Sequence, residues 1–202
     1  MKKIATLATV AAIMACTGSN HNGTATVTGT VGGRTLSVAE ALSTPIDGLC
    51  QQVFGNFVGA SGLGIWISNV AGTCGLNSTC SVQANTVTLA LAVWVNGSSG
   101  SNITVNTYPV YTATTVPPGA QFGAFAAEFE TDLACALTPV ATASGGSVTV
   151  TSVNGSAVAG SFTLVMSDGS NVSGSFNTVS CVINTAPICS GSFGCTGPVQ
   201  CS

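Results

Sequence analysis

Charge is the scarcest property of this sequence. Charged residues make up 4% of the chain, where a globular domain usually carries about 25%. The cations are Lys2, Lys3 and Arg34. No basic patch can be built from them, which excludes nucleic acid as a partner and argues against anionic lipid head groups as ligands. Histidine occurs once, at His21, so any Ser–His nucleophilic pair would have to recruit that residue. No G-x-S-x-G stands between a strand and a helix. No Walker loop is present, and the glycines of GASGLG, residues 59–64, lack a following helix and lysine for phosphate. C-x-x-C is absent, which with a single histidine removes the usual zinc spacings. Low charge does not make the chain disordered, because disorder needs low hydrophobicity and 46% of the residues are hydrophobic. Solubility therefore rests on Ser, Thr, Asn and Gly. Strand edges lack the lysines that usually block edge-to-edge pairing.

The sequence does carry a leader. Lys2 and Lys3 form a short positive region, followed by an apolar stretch over residues 4–15. That stretch is too short to span a bilayer as a helix and reads as a secretory signal peptide, residues 1–15. Its end, Ile13-Met14-Ala15-Cys16, resembles the lipobox of bacterial lipoproteins, in which the cysteine is acylated and becomes the first mature residue. The resemblance implies lipidation at Cys16 and a membrane partnership through N-terminal lipid, each buried methylene adding about 0.8 kcal/mol. Thr17 stands where an Asp favours inner-membrane retention, which implies the outer membrane. Cys16 opens a polar, Gly-containing tether over residues 16–25, whose nine residues after the cysteine reach at most about 30 Å. Removal of the leader leaves one cation, Arg34, against six carboxylates.

Eight cysteines remain besides Cys16: Cys50, Cys74, Cys80, Cys135, Cys181, Cys189, Cys195 and Cys201. An even number in an exported chain reads as four disulfides. Sequence leaves all 105 connectivities open. A Cys74–Cys80 pair would close a small loop. The last four cysteines, spaced 8, 6 and 6 apart among Pro187, Pro198 and several glycines, describe a stapled C-terminal appendage over residues 182–202.

Between tether and appendage, residues 26–181 read as one antiparallel β domain. VTLALAVWV, residues 87–95, is the clearest core strand, with Val87, Leu89, Leu91, Val93 and Val95 on one face by period two. Residues 34–42 read as a strand or a short helix, and residues 64–70 as a strand. Residues 103–111 read as a strand broken at Pro109, hence an edge or a bend. Residues 146–181 read as a three-strand meander, with Asn154-Gly155 at the centre of a type I′ turn and a second turn at Asp168-Gly169. Phe162, Leu164 and Met166 share its apolar face with Val172 and Phe176. Trp66 and Trp94 lie in apolar strand patterns and are assigned to the core. The expected fold is all-β: an antiparallel β-sandwich or partly closed β-barrel, stapled by disulfides.

The stretch GGSVTVTSVNGSAVAGSFTLVMSDGSNVSGSFNTVSC resembles the C-terminal half of a family of bacterial lipoproteins of unassigned activity. VTGTVGGRTLSVAEA, residues 27–41, is similar to their opening strands. The resemblance covers about a third of the chain and rests on hairpin chemistry. It implies an envelope location and a β fold, and it implies no reaction and no functional residues.

One acidic cluster could hold chemistry, Glu128-Phe129-Glu130-Thr131-Asp132. As a strand it places Glu128, Glu130 and Asp132 on one face, with Phe129 and Leu133 on the other. A carboxylate pair at this spacing can serve glycoside hydrolysis, and the segment loosely resembles the acidic strand of jelly-roll β-glucanases without its third acid. The two Trp and two Tyr are few for a sugar cleft. Three carboxylates with loop carbonyls, joined by Asp47 or Asp168, form a calcium candidate. The competing expectation is a solvated strand face. No cofactor is expected. The reading favoured by the sequence is a non-catalytic binding or interaction module with a surface glycan or protein partner. A structural subunit that associates through uncharged strand edges is the alternative.

Overall fold

The computed structural model describes residues 22–30, 32–47, 61–74, 81–96, 103–112, 114–181 and 200–201. The leader, Cys16, His21, Cys50, Cys80, Cys189 and Cys195 lie outside the described residues. Among the described residues the chain is mostly strand. In order it forms β1 (Thr24–Thr28), β2 (Glu40–Asp47), β3 (Ser61–Ser68), β4 (Ser81–Val82), β5 (Val87–Val95) and β6 (Asn106–Pro109). Then follow β7 (Phe122–Thr131), β8 (Leu137–Asn154), β9 (Ala157–Met166), β10 (Asn171–Asn177), β11 (Val179–Ser180) and β12 (Gln200–Cys201).

Ten strands make one curled, half-barrel sheet in the order β1-β10-β9-β8-β7-β5-β3-β2-β11, with β6 also paired to β8. β12 and β4 pair separately. This is the barrel alternative of the expected fold, a single sheet bent on itself rather than two stacked sheets. The long β8 makes the bend. Its first half pairs with β7 and its second with β6, while β9 runs along the other side, with register shifts at residues 143–145 and 150–152. Such bulges sharpen local twist and curvature.

The concave face holds the core. Leu63, Ile65 and Ile67 of β3, Leu89, Leu91 and Val93 of β5, and Phe162, Leu164 and Met166 of β9 are all buried there, with Val172 and Phe176 of β10. The period-two reading of β5 and of the meander is realised. Gly160 and Gly174 leave room for the aromatic rings: a Cβ on Gly174 would sit 2.6 Å from Phe162, and one on Gly160 2.7 Å from Phe176. Trp94 is fully buried but lies on the opposite, outer face. It stacks on Phe125 at 6.1 Å and meets Tyr111 at 6.4 Å, covered by Val116 and Ala120. Trp66 is only half-buried.

The two ends of the sheet meet at one rim. Gly23 forms an antiparallel bridge with Ala41, whose N–H donates to the Gly23 carbonyl at 3.1 Å. The chain leaves β10 at one end of the sheet and, through β11, pairs in parallel with β2 at the other. Buried hydroxyls stitch this seam. Ser43 Oγ lies 2.6 Å from Thr178 Oγ1, which also donates to the Val158 carbonyl at 2.9 Å and accepts from the Val158 N–H. Cys181 follows directly and is bonded to Cys74, 107 residues away.

Two local expectations are corrected, and one cysteine pairing is fixed. Residues 35–39 are irregular and β2 begins at Glu40. The β8–β9 hairpin turns on Gly155-Ser156, because Asn154 pairs with Ala157 and Gly155 alone takes positive φ, 61°. That is the type II′ pattern, with glycine first. Cys74 pairs with Cys181 rather than with Cys80. Cys181, the last residue of the expected β domain, is thereby tied to the segment after β3.

Candidate functional site

From the far end of β1, opposite Gly23, the connection to β2 crosses the end of the half-barrel and returns to the residues just before Ala41. It passes the start of β10 at Gly29, where an added Cβ would meet the Asn171 carbonyl at 2.2 Å. It continues over Val140 of β8 and reaches β3, where the Ala39 N–H donates to the Ser68 carbonyl at 2.8 Å. Leu36 drops from it into the core. Gly32 and Gly33 carry positive φ, 56° and 78°, which a side chain would disfavour. Gly32 also needs to be small, since its Cβ would stand 2.4 Å from Val140 and 3.0 Å from Glu128 Oε2. We call this segment the cap.

Beneath the cap lies Glu128. In β7 it shares the inward parity of Ala124 and Ala126, and its register partners are Leu89 and Ala141, both core residues. It is 1% exposed and its Oε2 has no hydrogen-bond partner among the described residues. Burial pushes its carboxyl up from 4.5 to about 7; Glu130 adds to the rise, Arg34 opposes it and Asp168 adds a little. A desolvated carboxylate beside a like charge prefers its neutral form. Glu130 is partly exposed and pairs with Arg34 at 3.5 Å.

The five-residue acidic cluster is thus split. Asp132 lies past the end of β7, where its Oδ1 accepts the N–H groups of Ala134 and Ala136 at 2.8 and 2.9 Å. Leu133 sits in the same turn, not on a strand face. The expectation of a solvated strand face fails at Glu128, which points into the core. Asp168 holds its own turn, accepting the Ser170 N–H at 2.9 Å and the Ser170 hydroxyl at 2.6 Å. These hydrogen bonds keep its carboxyl below the usual range. Glu130 faces the Arg34 guanidinium. Glu128, Glu130 and Asp132 are not brought together, and no group of three or more metal-ligating side chains converges among the described residues. Elsewhere, Glu40 is buried and accepts the N–H and hydroxyl of Thr73, holding the residue before Cys74 against β2.

The outer face of the other half-sheet carries a second feature. Register aligns Thr26 of β1, Ser175 of β10, Ser161 of β9, Thr149 of β8 and Thr107 of β6 in one row. The adjacent row holds Thr28, Ser173, Thr163 and Ser147. Their side chains are exposed or half-exposed. Neighbours touch through hydroxyls: Thr26 to Ser175 at 2.9 Å, Thr107 to Thr149 at 3.0 Å, and Ser147 to Thr163 at 3.3 Å. With strands about 4.8 Å apart, five strands make a row roughly 19 Å long. No charged side chain stands in either row. The sequence alone does not single out these residues. Their signal is the alternation of Ser or Thr with apolar residues in TATVT, SVTVT and SGSF, and only register shows that the hydroxyls line up.

No protein-family model, no curated protein and no solved structure matches the chain.

Proposed function

We propose that this chain is a lipid-anchored envelope protein whose β domain is a non-catalytic binding module for a neutral, hydroxyl-rich partner, a surface glycan. The observation that carries the reading is the pair of aligned hydroxyl rows, one across β1, β10, β9, β8 and β6 and the other across the first four of these strands. Each hydroxyl both donates and accepts, so a row of them can match sugar hydroxyls without any fixed polarity. An uncharged face does not attract polyanions and does not repel neutral polymers. The rows stand on paired strands, which fixes their spacing before any ligand arrives and lowers the entropy cost of binding. Anchoring rests on the lipobox-like Ile13-Met14-Ala15-Cys16.

Two measurements test this. Cys16→Ala is expected to abolish palmitate labelling of the exported protein; equal labelling of variant and wild type defeats the anchor. On a glycan array, the exported protein is expected to bind neutral and not anionic glycans. Ser161→Lys, placing a bulky charge at the centre of the first row, is expected to weaken that binding at least tenfold. Gln121→Lys, in the turn before β7, should leave it unchanged. Absence of neutral-glycan binding, or equal loss in both variants, removes the hydroxyl face from consideration.

A further inference from the structure

The cap rests on a carboxyl whose Oε2 is left unpaired among the described residues. Gly32 packs against Glu128 Oε2 so closely that a single added carbon would stand 3.0 Å away, and that oxygen has no hydrogen-bond partner among the described residues. The charged groups around it come from three elements: Glu130 of β7, Arg34 of the cap and Asp168 of the β9–β10 turn. Its register partners on β5 and β8 are Leu89 and Ala141, neither of which can carry charge. Arg34 is bound to Glu130 and is itself largely exposed, at 65%. The one cation nearby is therefore engaged by the neighbouring acid at the edge of the rim.

We propose that Glu128 is a proton-operated latch: neutral, it lets the β1–β2 cap seat over the rim; ionised, it loosens the cap and favours transient opening. Ionisation places a charge against apolar neighbours and beside Glu130, and the strain is released only where water reaches the carboxyl. The cap is the removable part of that enclosure, since β5 and β7 are held by an unbroken ladder and β8 pairs with β7 on both sides of a register shift at Glu128/Phe129. Opening would bare the core around Leu36, which the cap itself supplies. The upward push on the Glu128 carboxyl agrees with this geometry.

The sequence provides its own probe. Trypsin cuts after Lys or Arg, and beyond Lys3 the chain offers it Arg34 alone, inside the cap. Cleavage of the full chain after Arg34 is measured from about pH 5.5 to 8.5 and divided by the rate on a free peptide of residues 29–39, which removes the protease's own pH dependence. A carboxyl near 7 under the cap and near 4.5 when solvated predicts about thirtyfold more opening at the alkaline end. Glu128→Gln should cut slowly and without a step. Glu130→Gln, which removes the neighbouring like charge, should move the wild-type step to lower pH. The second variant decides the matter if the first does not fold. A flat wild-type profile, or a step unmoved by Glu130→Gln, overturns the latch. So does exchange of the β5 amides at the rate of cleavage, which would mean global unfolding instead of cap opening.

Discussion

Replacing Cys74 and Cys181 together by serine is expected to lower stability by about 4 kcal/mol. The bond joins residues 107 apart, and closing a loop of about that length removes denatured-state entropy worth on the order of 4.7 kcal/mol in the chain-entropy model. Cys135 is disulfide-bonded as well, so other cross-links shorten the effective loop and pull the value below that ceiling. The location matters as much as the length. Cys181 directly follows β11, the two-residue strand that carries the chain from one end of the sheet to the other. Its N–H donates to the Ser43 carbonyl at 2.8 Å. Cys74 follows Thr73, whose N–H and hydroxyl bind Glu40 at the start of β2. The disulfide therefore fastens both sides of the seam that curls the sheet. Urea denaturation of the double variant under oxidising conditions measures the effect. A loss below about 1 kcal/mol would mean that β11 pairing and the Ser43–Thr178 hydroxyls hold the seam without it.

The parts of this fold that are legible in the sequence are those set by local alternation. β5 alternates up to Val93 and so places Leu89, Leu91 and Val93 inward, the alternation breaking only at Trp94, which is buried on the outer face. The β8–β9–β10 meander is legible in its strands and apolar face, whereas its β8–β9 register is set by the turn at Gly155-Ser156 and by shifts at residues 143–145 and 150–152. Closure is not legible. It depends on Gly23 meeting Ala41 and on Ser43 meeting Thr178, contacts between segments that nothing local relates. The orientation of β7 misleads for a physical reason. Its bulky residue Phe125 points outward under residues 111–120, while small Ala124 and Ala126 point inward. Both faces of this strand are covered, so apolar bulk does not mark the core side. Glu128 then falls on the buried face that the acidic run Glu128-Phe129-Glu130 disguises as solvated. The hydroxyl rows are half legible. The meander register aligns Ser175, Ser161 and Thr149, but Thr26 and Thr107 join them through pairings across 149 and 42 residues.

Glu128→Gln is expected to raise stability at pH 8 by about 3 kcal/mol and to leave it nearly unchanged at pH 4.5. The folded-state carboxyl lies near 7 against an ordinary 4.5, and each unit of difference corresponds to about 1.4 kcal/mol. The sign follows from proton uptake. Between these two values the folded chain holds a proton that the unfolded chain has released, so folding is favoured by acid. The wild type is therefore least penalised below 4.5, loses stability as pH rises, and reaches its full penalty once pH has passed 7. Glutamine mimics the neutral acid in shape and polarity. It leaves the same buried site with a comparable unmet hydrogen-bonding demand, which cancels in the comparison at low pH. His21 belongs to the residue type that normally titrates in this window, so both proteins are compared in a His21→Gln background. Urea midpoints at pH 4.5, 6 and 8 should diverge steadily, with the variant flat and the wild type falling. Parallel profiles would show that Glu128 reaches water or a partner in the folded protein. In that case its carboxylate carries no burial cost, and the orphaned Oε2 beneath Gly32 loses its meaning for the cap.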